Sequence, residues 1–231
     1  MNDMTSGKGI GRIAKTKARN RMYALLAMGF RYPEAHCFEQ MADGSYADAI
    51  VAALDVCDTT LAEDVRAALA PDLRTTMSLQ EFESGYLSAF ETNMPEPSVS
   101  LYEGSHHMHG NKPGLLLELK GFYQTFGLTM ADADNDLEDA LAAELEFMQF
   151  LTAKQVQAEE GVLDRSPYLR AQRDFVQRHL EVWLPSLLVA AKTNVKQPFY
   201  LALIALATDF VAADAKILGR DVARLDVNER V

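Results

Sequence analysis

The chain has 231 residues, of which 48% are apolar and 24% are charged. This composition is ordinary for a globular protein and argues against a disordered or collagen-like chain, and the length is sufficient for a substantial core. Only two cysteines occur, Cys37 and Cys57, and neither belongs to a zinc-binding spacing. The sequence therefore favours a protein of a reducing compartment over a secreted disulfide scaffold, and it predicts no structural zinc site.

Charge is distributed unevenly along the chain. Seven bases and one acid give residues 1–31 a net charge of +6, whereas fifteen bases and 32 acids give the remaining 200 residues a net charge of −17. An acidic body of this kind repels phosphate backbones, so nucleic acid is excluded as a partner. It attracts a basic protein segment, through an interaction that weakens as salt is added.

Two apolar stretches are similar to the apolar segments of signal peptides or membrane spans. The first, residues 22–30, is short, is ended by Arg31 and lacks a small-residue cleavage site, which favours a first helix over a signal peptide. The second, residues 199–218, is interrupted by three charged residues. Its uninterrupted part is too short to cross a bilayer, so a buried core helix is predicted and membrane insertion is not.

Helical periodicity dominates the chain, because apolar side chains recur at steps of three and four. Asp58 or Thr59 is a candidate N-cap, Ser78 with Glu81 has the spacing of a capping box, and Gly127 is a candidate C-cap. The predicted helices cover residues 12–31, 34–42, 46–57, 60–69, a segment that begins after residue 78, 114–126, 136–157, 168–184, 186–194 and 199–219.

Residues 93–113 interrupt this pattern with three prolines and two glycines, which predicts an irregular loop. No strand pattern or internal repeat occurs elsewhere. The sequence thus predicts an all-α protein, a single-domain helical bundle. Its expected parts are a flexible basic N-terminus (1–12), a helical domain (13–219) that contains the loop, and a polar C-terminal tail (220–231).

Few residues suggest chemistry. His106, His107 and His109 cluster in the loop, where a transition-metal site is one interpretation and a solvated polar loop is the favoured one. The glycine-rich residues 7–11 lack the strand and the GK[ST] ending of a phosphate-binding loop. No Ser/His/Asp set follows a known local motif. We therefore predict that the protein is not an enzyme and has no cofactor or metal.

Several acids and one histidine lie in or beside apolar helical segments, so their surroundings in the fold have to be predicted. Asp209 and Asp214 lie in the most apolar helix and, if buried, require a basic partner such as Lys192 or Arg178. His179 is predicted to be a satisfied core or boundary histidine. Four acids near the start of the helix predicted at 136–157 are interpreted as a solvated helix face, or alternatively as an acidic rim for a basic peptide: Glu138, Asp139, Glu144 and Glu146.

Five segments carry a recognisable pattern in a fixed order: residues 81–90, the loop sequence EPSVSLYEG at 96–104, ELEFMQFL at 144–151, HLEVWLP at 179–185, and residues 199–214. Together they resemble the TorD/DmsD-like redox-enzyme maturation chaperones, which include the NarJ type, over about residues 18–218. The arrangement LYEG…FYQTFGL…ELEFM is most similar to the branch that serves type II enzymes of the dimethyl sulfoxide reductase group, such as dimethyl sulfide, ethylbenzene, selenate or chlorate enzymes.

Two positions depart from the family pattern. Ala140 follows Asp139 where many members have a histidine, so only the aspartate of that pair carries over. Ala89 stands between Tyr86 and Phe90 where the family has a leucine.

The resemblance implies a TorD-like bundle and a cytoplasmic chaperone that binds the catalytic subunit of a molybdenum enzyme as an apoprotein. Many members also hold that subunit's twin-arginine leader, so that an enzyme without its cofactor is not exported. Such a leader has a basic start and an apolar middle, which suit an acidic protein rich in aromatic and methionine side chains. A helical adaptor with an unrelated partner and a metal-binding protein that uses the His106–His109 loop are the alternatives, and a homodimer is left open.

The residues expected to bind the client follow from these motifs. Tyr86, Phe90 and Tyr102 are expected to line the apolar part of the site, with plain core packing as an equal alternative. Asp139 and Glu103 are expected to meet the basic part. The same motifs complete the predicted client-binding set with Glu96, Pro97, Glu144 and Met148.

Overall fold

The structure, a computed structural model, describes residues 3–92, 99–106, 111–129 and 137–228, with side chains from residue 11 to 227 within those ranges. This part of the chain is helical, and its only β-type pairing is a single bridge between Tyr102 and Ala140. The all-α prediction is confirmed. The helices are α1 (Asp3–Phe30), α2 (Ala35–Asp43), α3 (Ser45–Cys57), α4 (Thr59–Ala68), α5 (Leu79–Phe90), the 3-10 helix Glu103–Ser105, α6 (Lys112–Thr125), α7 (Leu141–Glu160), α8 (Ser166–Arg178), α9 (Leu180–Asn194) and α10 (Pro198–Asn228).

Local capping chemistry sets several of these boundaries. The Ser78 hydroxyl accepts from the backbone N–H of Glu81 while the Glu81 carboxylate accepts from the Ser78 N–H, so the predicted capping box at the start of α5 is confirmed. Asp58 caps α4 by accepting from the N–H of Leu61. Gly127 follows α6 with a positive φ of 73°, a conformation that favours glycine.

Four boundaries differ from the prediction. The helix α1 begins at Asp3 instead of near residue 12, because extending an existing helix costs far less than starting one; the flexibility expected of residues 1–12 stays a prediction. The helix α10 continues to Asn228, because Val222 in the expected tail is buried. The helix α7 begins only at Leu141, since the residues before it form a turn and the bridge to Tyr102.

The fourth difference lies at His179, which interrupts the predicted helix 168–184. Its backbone (φ −122°, ψ −93°) is not helical, and the break falls between α8 and α9 instead of at Pro185. Pro185 lies inside α9, where it removes one backbone hydrogen bond but does not end the helix.

The core is organised around α1 and α10. The helix α1 packs mainly on α7 and α3, and α10 packs on α8 and α9. A cluster of aromatic rings fills the space between α5 and the start of α10, with centroids 5.0–5.7 Å apart, and consists of Phe82, Tyr86, Phe90, Phe199 and Tyr200. Rings at these separations add to the free energy that their burial provides.

A buried ion pair joins the two central helices. Arg19 of α1 donates two hydrogen bonds to Asp214 of α10, from Nε at 2.5 Å and from Nη2 at 2.8 Å, and Tyr23 donates a third at 2.6 Å. Arg19 Nη2 also donates to Gln172 of α8. The partner of Asp214 is thus Arg19, and the prediction of Lys192 or Arg178 is wrong; Asp209 in the same helix is exposed.

None of the helices in the described ranges combines the length and the apolar character that a membrane span requires.

We predict that Arg19→Ala destabilises the fold by about 3–5 kcal/mol, because it leaves the buried Asp214 carboxylate without its counter-ion. Urea unfolding followed by circular dichroism measures this loss. The matched control is Arg66→Ala, which breaks an ion pair with Asp55 whose side chains are 46% and 40% exposed. That pair is expected to contribute no more than about 1 kcal/mol. Equal losses in the two variants would contradict the role assigned to the buried pair.

Candidate functional site: an aromatic groove beside buried carboxyl groups

Residues 99–106 form a strap between α5 and α6 that is tied to the start of α7. The Glu103 N–H donates to the Asp139 carbonyl at 2.9 Å, and the Leu141 N–H donates to the Leu101 carbonyl at 2.8 Å. These two hydrogen bonds make the bridge between Tyr102 and Ala140. They fix the position of the strap, so the side chains on either side of it have defined neighbours.

On one side of the strap lies a groove of about 270 Å³, which we call the aromatic groove. Tyr86, Phe90 and Tyr102, predicted from separate motifs, all line it. The ring of Tyr32, which is 45% exposed, packs edge to face on Tyr86 at 5.6 Å. Tyr86 is largely buried, and its hydroxyl donates to the Phe30 carbonyl at 3.2 Å. The exposed aromatic surface of the groove is therefore supplied chiefly by Tyr32 and Tyr102.

Charged side chains also line this groove. Glu34 and Glu91 contribute two carboxylates, and Arg31 contributes one base. Arg31 is paired with Glu146 at 2.6 Å, which offsets its charge locally. The groove thus combines an apolar surface with an acidic margin. Reasoning from the sequence did not identify Tyr32, Glu34 and Glu91 as groove residues. The only local signals near them are Pro33, which lies between Tyr32 and Glu34, and the end of α5, which Glu91 follows.

Beneath the strap lie three acids with no exposed surface, Glu103, Asp139 and Glu144, which we call the carboxyl cluster. The interpretation of Asp139 and Glu144 as a solvated helix face is wrong, because the strap and α9 cover them. Glu144 accepts from the indole N–H of Trp183 at 3.1 Å, and Asp139 accepts from the Gly104 N–H at 3.1 Å. A Cβ at position 104 would approach the Asp139 carboxylate to 2.8 Å, so this close approach depends on glycine.

Glu103 acts on Glu144 within the cluster, through its charge and through a side-chain hydrogen bond, and this interaction disfavours ionisation of both carboxyl groups at once. Burial, followed by the neighbouring charge of Glu103, raises the pKa of Glu144 well above its ordinary value. A protonated Glu144 can donate to Glu103 while it accepts from Trp183. The cluster thereby carries less negative charge than its three acids suggest.

His179 completes the cluster from the junction of α8 and α9. Its Nδ1 lies 3.0 Å from Glu103 Oε2, and its side chain is almost fully buried, which confirms the predicted core position; the prediction that the ring is fully satisfied is wrong, because Nε2 has no hydrogen-bond partner. Its Nε2 lies 3.4 Å from Glu118 Oε1 but outside hydrogen-bonding geometry. On this side of the strap a second cleft, of about 380 Å³, is lined by Glu103, Lys112, Glu118, Arg178 and His179 among others.

Unsatisfied polar atoms are concentrated here. Within the described ranges, five buried side-chain atoms have no hydrogen-bond partner, and three of them are Asp139 Oδ1, Glu144 Oε1 and His179 Nε2. A protonated Glu144 would satisfy its own oxygen by donating to Glu103. Because buried polar groups are nearly always satisfied, the two others mark the cluster as a place where a partner's polar groups are expected.

His106 has a packing role in the strap. Its ring stacks on Trp183 with centroids 5.2 Å apart, and its Nε2 lies 2.8 Å from the Ser100 carbonyl. His107 and His109 lie outside the described residues, so the predicted alternative of a metal site in the loop stays untested. Where the chain is described, no three His, Cys, Asp or Glu side chains are grouped so that they could hold a metal ion.

The other predicted client-binding residues fall into two groups. Phe90 and Met148 are buried, Phe90 at the edge of the groove and Met148 wholly within the core of α7. Their burial matches the alternative of core packing. Glu96 and Pro97 lie outside the described residues.

Comparison with known proteins places this arrangement in a family. Residues 54–189, which include α5, the strap, α7 and His179, match the model of the nitrate reductase delta subunit family. The chain belongs to this family. The match covers more than half of the chain and confirms the resemblance to TorD/NarJ-like chaperones.

Curated relatives extend the similarity beyond that segment. The chain is 50% identical over 213 residues to the perchlorate reductase assembly chaperone protein of Dechloromonas aromatica, with 92% of this chain and 95% of the relative covered. It is 31% identical to the dimethyl sulfide dehydrogenase assembly chaperone protein of Rhodovulum sulfidophilum, over 89% of this chain and 82% of the relative. It is 39% identical to the selenate reductase assembly chaperone protein of Thauera selenatis, over 46% and 55%.

We predict that Glu144→Gln leaves the protein at least as stable as the wild type near neutral pH and flattens its pH dependence. The pKa of Glu144 is raised in the folded state, so its favourable contribution is complete below the unfolded pKa of about 4.3 and is lost as the pH rises through the folded value. Glutamine keeps an acceptor for Trp183 and a donor for Glu103 but cannot ionise.

Urea midpoints measured from pH 5 to pH 8 test this prediction. The matched control is Glu146→Gln, which removes a half-exposed carboxylate from the same helix and is expected to leave the pH dependence unchanged. A loss of more than about 2 kcal/mol at pH 7 in Glu144→Gln, with the pH profile unaltered, would show that Glu144 is needed as a carboxylate.

Proposed function

We propose that this protein is a system-specific assembly chaperone for the catalytic subunit of a molybdenum enzyme, which it binds before the cofactor is inserted. The observation that carries the proposal is the 50% identity, over nearly the whole of both chains, to a protein named as a perchlorate reductase assembly chaperone. The names of the other relatives specify selenate reductase and dimethyl sulfide dehydrogenase. The client proposed here is accordingly a catalytic subunit of this group of enzymes.

The aromatic groove is the proposed binding site for the client's twin-arginine leader. Tyr32 and Tyr102 offer apolar surface for the middle of the leader, and Glu34 and Glu91 offer carboxylates for its basic start. Aromatic side chains supply much of the binding energy at protein interfaces, while charges at the margin chiefly raise the association rate. One groove can therefore recognise both parts of a leader.

The carboxyl cluster is proposed to position the strap and to receive polar groups of the client. Asp139 Oδ1 and His179 Nε2 are two atoms of this region that the described residues leave without a hydrogen-bond partner. Glu103 and Glu144 hold the strap against α7 and α9, and so determine where Tyr102 stands. Glu96 and Pro97, which follow Glu91 along the chain, stay predictions for the same site.

The proposed chaperone carries out no chemistry of its own. It acts in the cytoplasm and retains the apoenzyme until its cofactor has been inserted, which prevents premature export. The proposal does not depend on the oligomeric state, and the homodimer left open by the sequence is untested.

Capture from the native host tests the proposed function. The tagged protein is isolated from cells that are making the enzyme, and the proteins and metals that accompany it are identified. We expect a molybdoenzyme catalytic subunit that lacks its cofactor and still carries its leader. Capture of a subunit whose leader has been removed would place the contact on the mature body, and absence of any such subunit would exclude the chaperone function.

We predict that the double reversal Glu34→Lys/Glu91→Lys weakens binding of a synthetic leader peptide by about tenfold at low salt, because two attractive charges become repulsive. The difference is expected to shrink as salt is added. Fluorescence anisotropy at 20 and 300 mM salt measures it. Charge reversal at Asp139 is a poorer test, since a buried lysine beside Glu103 would disturb the fold.

The matched control is Glu63→Lys/Asp72→Lys, which changes the net charge equally at exposed positions that do not line the groove. Equal weakening in both double variants would indicate attraction by the acidic body as a whole, and would remove the groove from the proposal.

A further inference from the structure

A second depression continues the aromatic groove along α1. Its volume is about 610 Å³, and it shares three lining residues with the groove, Arg31, Tyr32 and Glu34. Beyond these shared residues it is lined by α1, by α2 and by α7. We call this part the α1 channel. The groove and the α1 channel thus form one continuous surface.

The floor of the α1 channel is a stripe on one face of a single helix. Arg21, Ala24 and Met28 follow one another at steps of three and four residues, and Arg31 comes three residues later, so all four lie on the same side of α1. Ala24 and Met28 are half-buried and give the stripe an apolar middle. The stripe is about 15 Å long, a distance that an extended peptide covers with about five residues.

Charge changes sign along this continuous surface. Glu91 and Glu34 lie at the groove end, and the exposed Arg21 lies at the far end of the α1 channel. Between them, Arg31 is paired with Glu146 of α7 at 2.6 Å, so its charge is offset locally. A peptide that has a basic end and an apolar middle therefore fits this surface in one direction only.

We propose that the α1 channel holds the part of the client's leader that follows the residues bound in the aromatic groove. This inference rests on the proposed function, in which the groove binds that leader. The basic start of the leader lies at Glu91 and Glu34, and its apolar middle passes Tyr32 and continues along the apolar stripe of α1. The leader residue that reaches Arg21 is neutral or acidic, because a basic residue would be repelled there.

Continuity of the surface favours this occupant over a separate ligand. A second molecule in the α1 channel would meet the same Arg31, Tyr32 and Glu34 that the leader meets in the groove, so the two would compete. A peptide that is already held in the groove instead presents its next residues to the channel at a high effective concentration. The channel then adds affinity without a second independent binding event.

The α1 channel also offers a basis for choosing among clients. Twin-arginine leaders share a basic start and an apolar middle, so the aromatic groove alone distinguishes them poorly. The residue that faces Arg21 lies beyond these shared features. Arg21 is therefore the proposed specificity-determining residue, acting by rejection of leaders that place a base there.

Photocrosslinking tests the path of the leader in the complex of the full chain with the catalytic subunit captured from the host. A photoreactive residue is placed at Ala24 in the channel or at Glu91 at the groove end, and the crosslinked leader residues are identified by mass spectrometry. We expect position 91 to crosslink to the basic start and position 24 to the apolar middle or to residues beyond it.

The other outcomes separate this inference from the function on which it rests. Crosslinks to the leader from position 91 with none from position 24 would overturn the inference and leave the groove in place. Crosslinks from position 24 to the basic start would overturn the proposed direction. Absence of crosslinks from both positions would count against leader binding in the groove itself.

A charge exchange tests the role of Arg21. In a synthetic leader peptide, the residue that crosslinks to position 24 is changed to lysine, which is expected to weaken binding to the wild-type chain by about tenfold at low salt. Arg21→Glu is expected to recover most of this loss and, because Arg21 is exposed, to keep the wild-type urea midpoint. Fluorescence anisotropy measures both affinities.

The matched control is Lys120→Glu, which changes the net charge equally at an exposed position outside the groove and the α1 channel. It is expected to recover little of the lost affinity. Equal recovery in the two variants would indicate attraction by the protein's charge as a whole, and no recovery in Arg21→Glu would contradict the specificity role of Arg21.

Discussion

Burial of three carboxyl groups is the constraint on which the candidate site depends. Glu103, Asp139 and Glu144 have no exposed surface; His179 lies 3.0 Å from Glu103, and Lys112 lies 3.9 Å from Asp139. Isolated buried carboxylates would cost several kcal/mol each. This cost is lowered by the raised pKa of Glu144, by the contact of Glu103 with His179, and by the indole N–H of Trp183 and the backbone N–H of Gly104.

These same contacts connect parts of the chain that are distant in sequence. Glu103 lies in the strap, Glu144 in α7, and His179 and Trp183 at the junction of α8 and α9. Loss of one partner would release the strap from the helices beneath it, and Tyr102 would lose its fixed place in the aromatic groove. The polar cluster and the groove are therefore parts of one site, although only the groove offers substantial surface to a large partner.

Charge is separated along α1 in a way that the net charge of −11 conceals. The end of α1 contributes to a groove with an acidic margin, and its first half contributes to a pocket lined by six bases. The buried pair between Arg19, one of those bases, and Asp214 fixes α1 against α10. The helix that forms part of the core thus also connects two surfaces of opposite charge.

Sequence patterns predicted the helices well and the tertiary partners poorly, for a physical reason. Helical periodicity, the Ser78 capping box and the Asp58 cap are local, so most elements were found within a few residues of their observed limits. The partner of Asp214 is 195 residues away, and periodicity contains no information about it. Asp139 and Glu144 have the spacing of a solvated face, and only Trp183 and the strap, supplied from elsewhere in the chain, bury them.

Site-specific photocrosslinking tests the central claim most directly, that the aromatic groove holds the client's leader. A photoreactive residue is placed at Tyr32 in the groove or at Val189, an exposed residue of α9 that does not line it, and the chaperone is irradiated with the client present. The account predicts crosslinks from position 32 to the leader and none from position 189. Crosslinks to the leader from position 189 alone would contradict it.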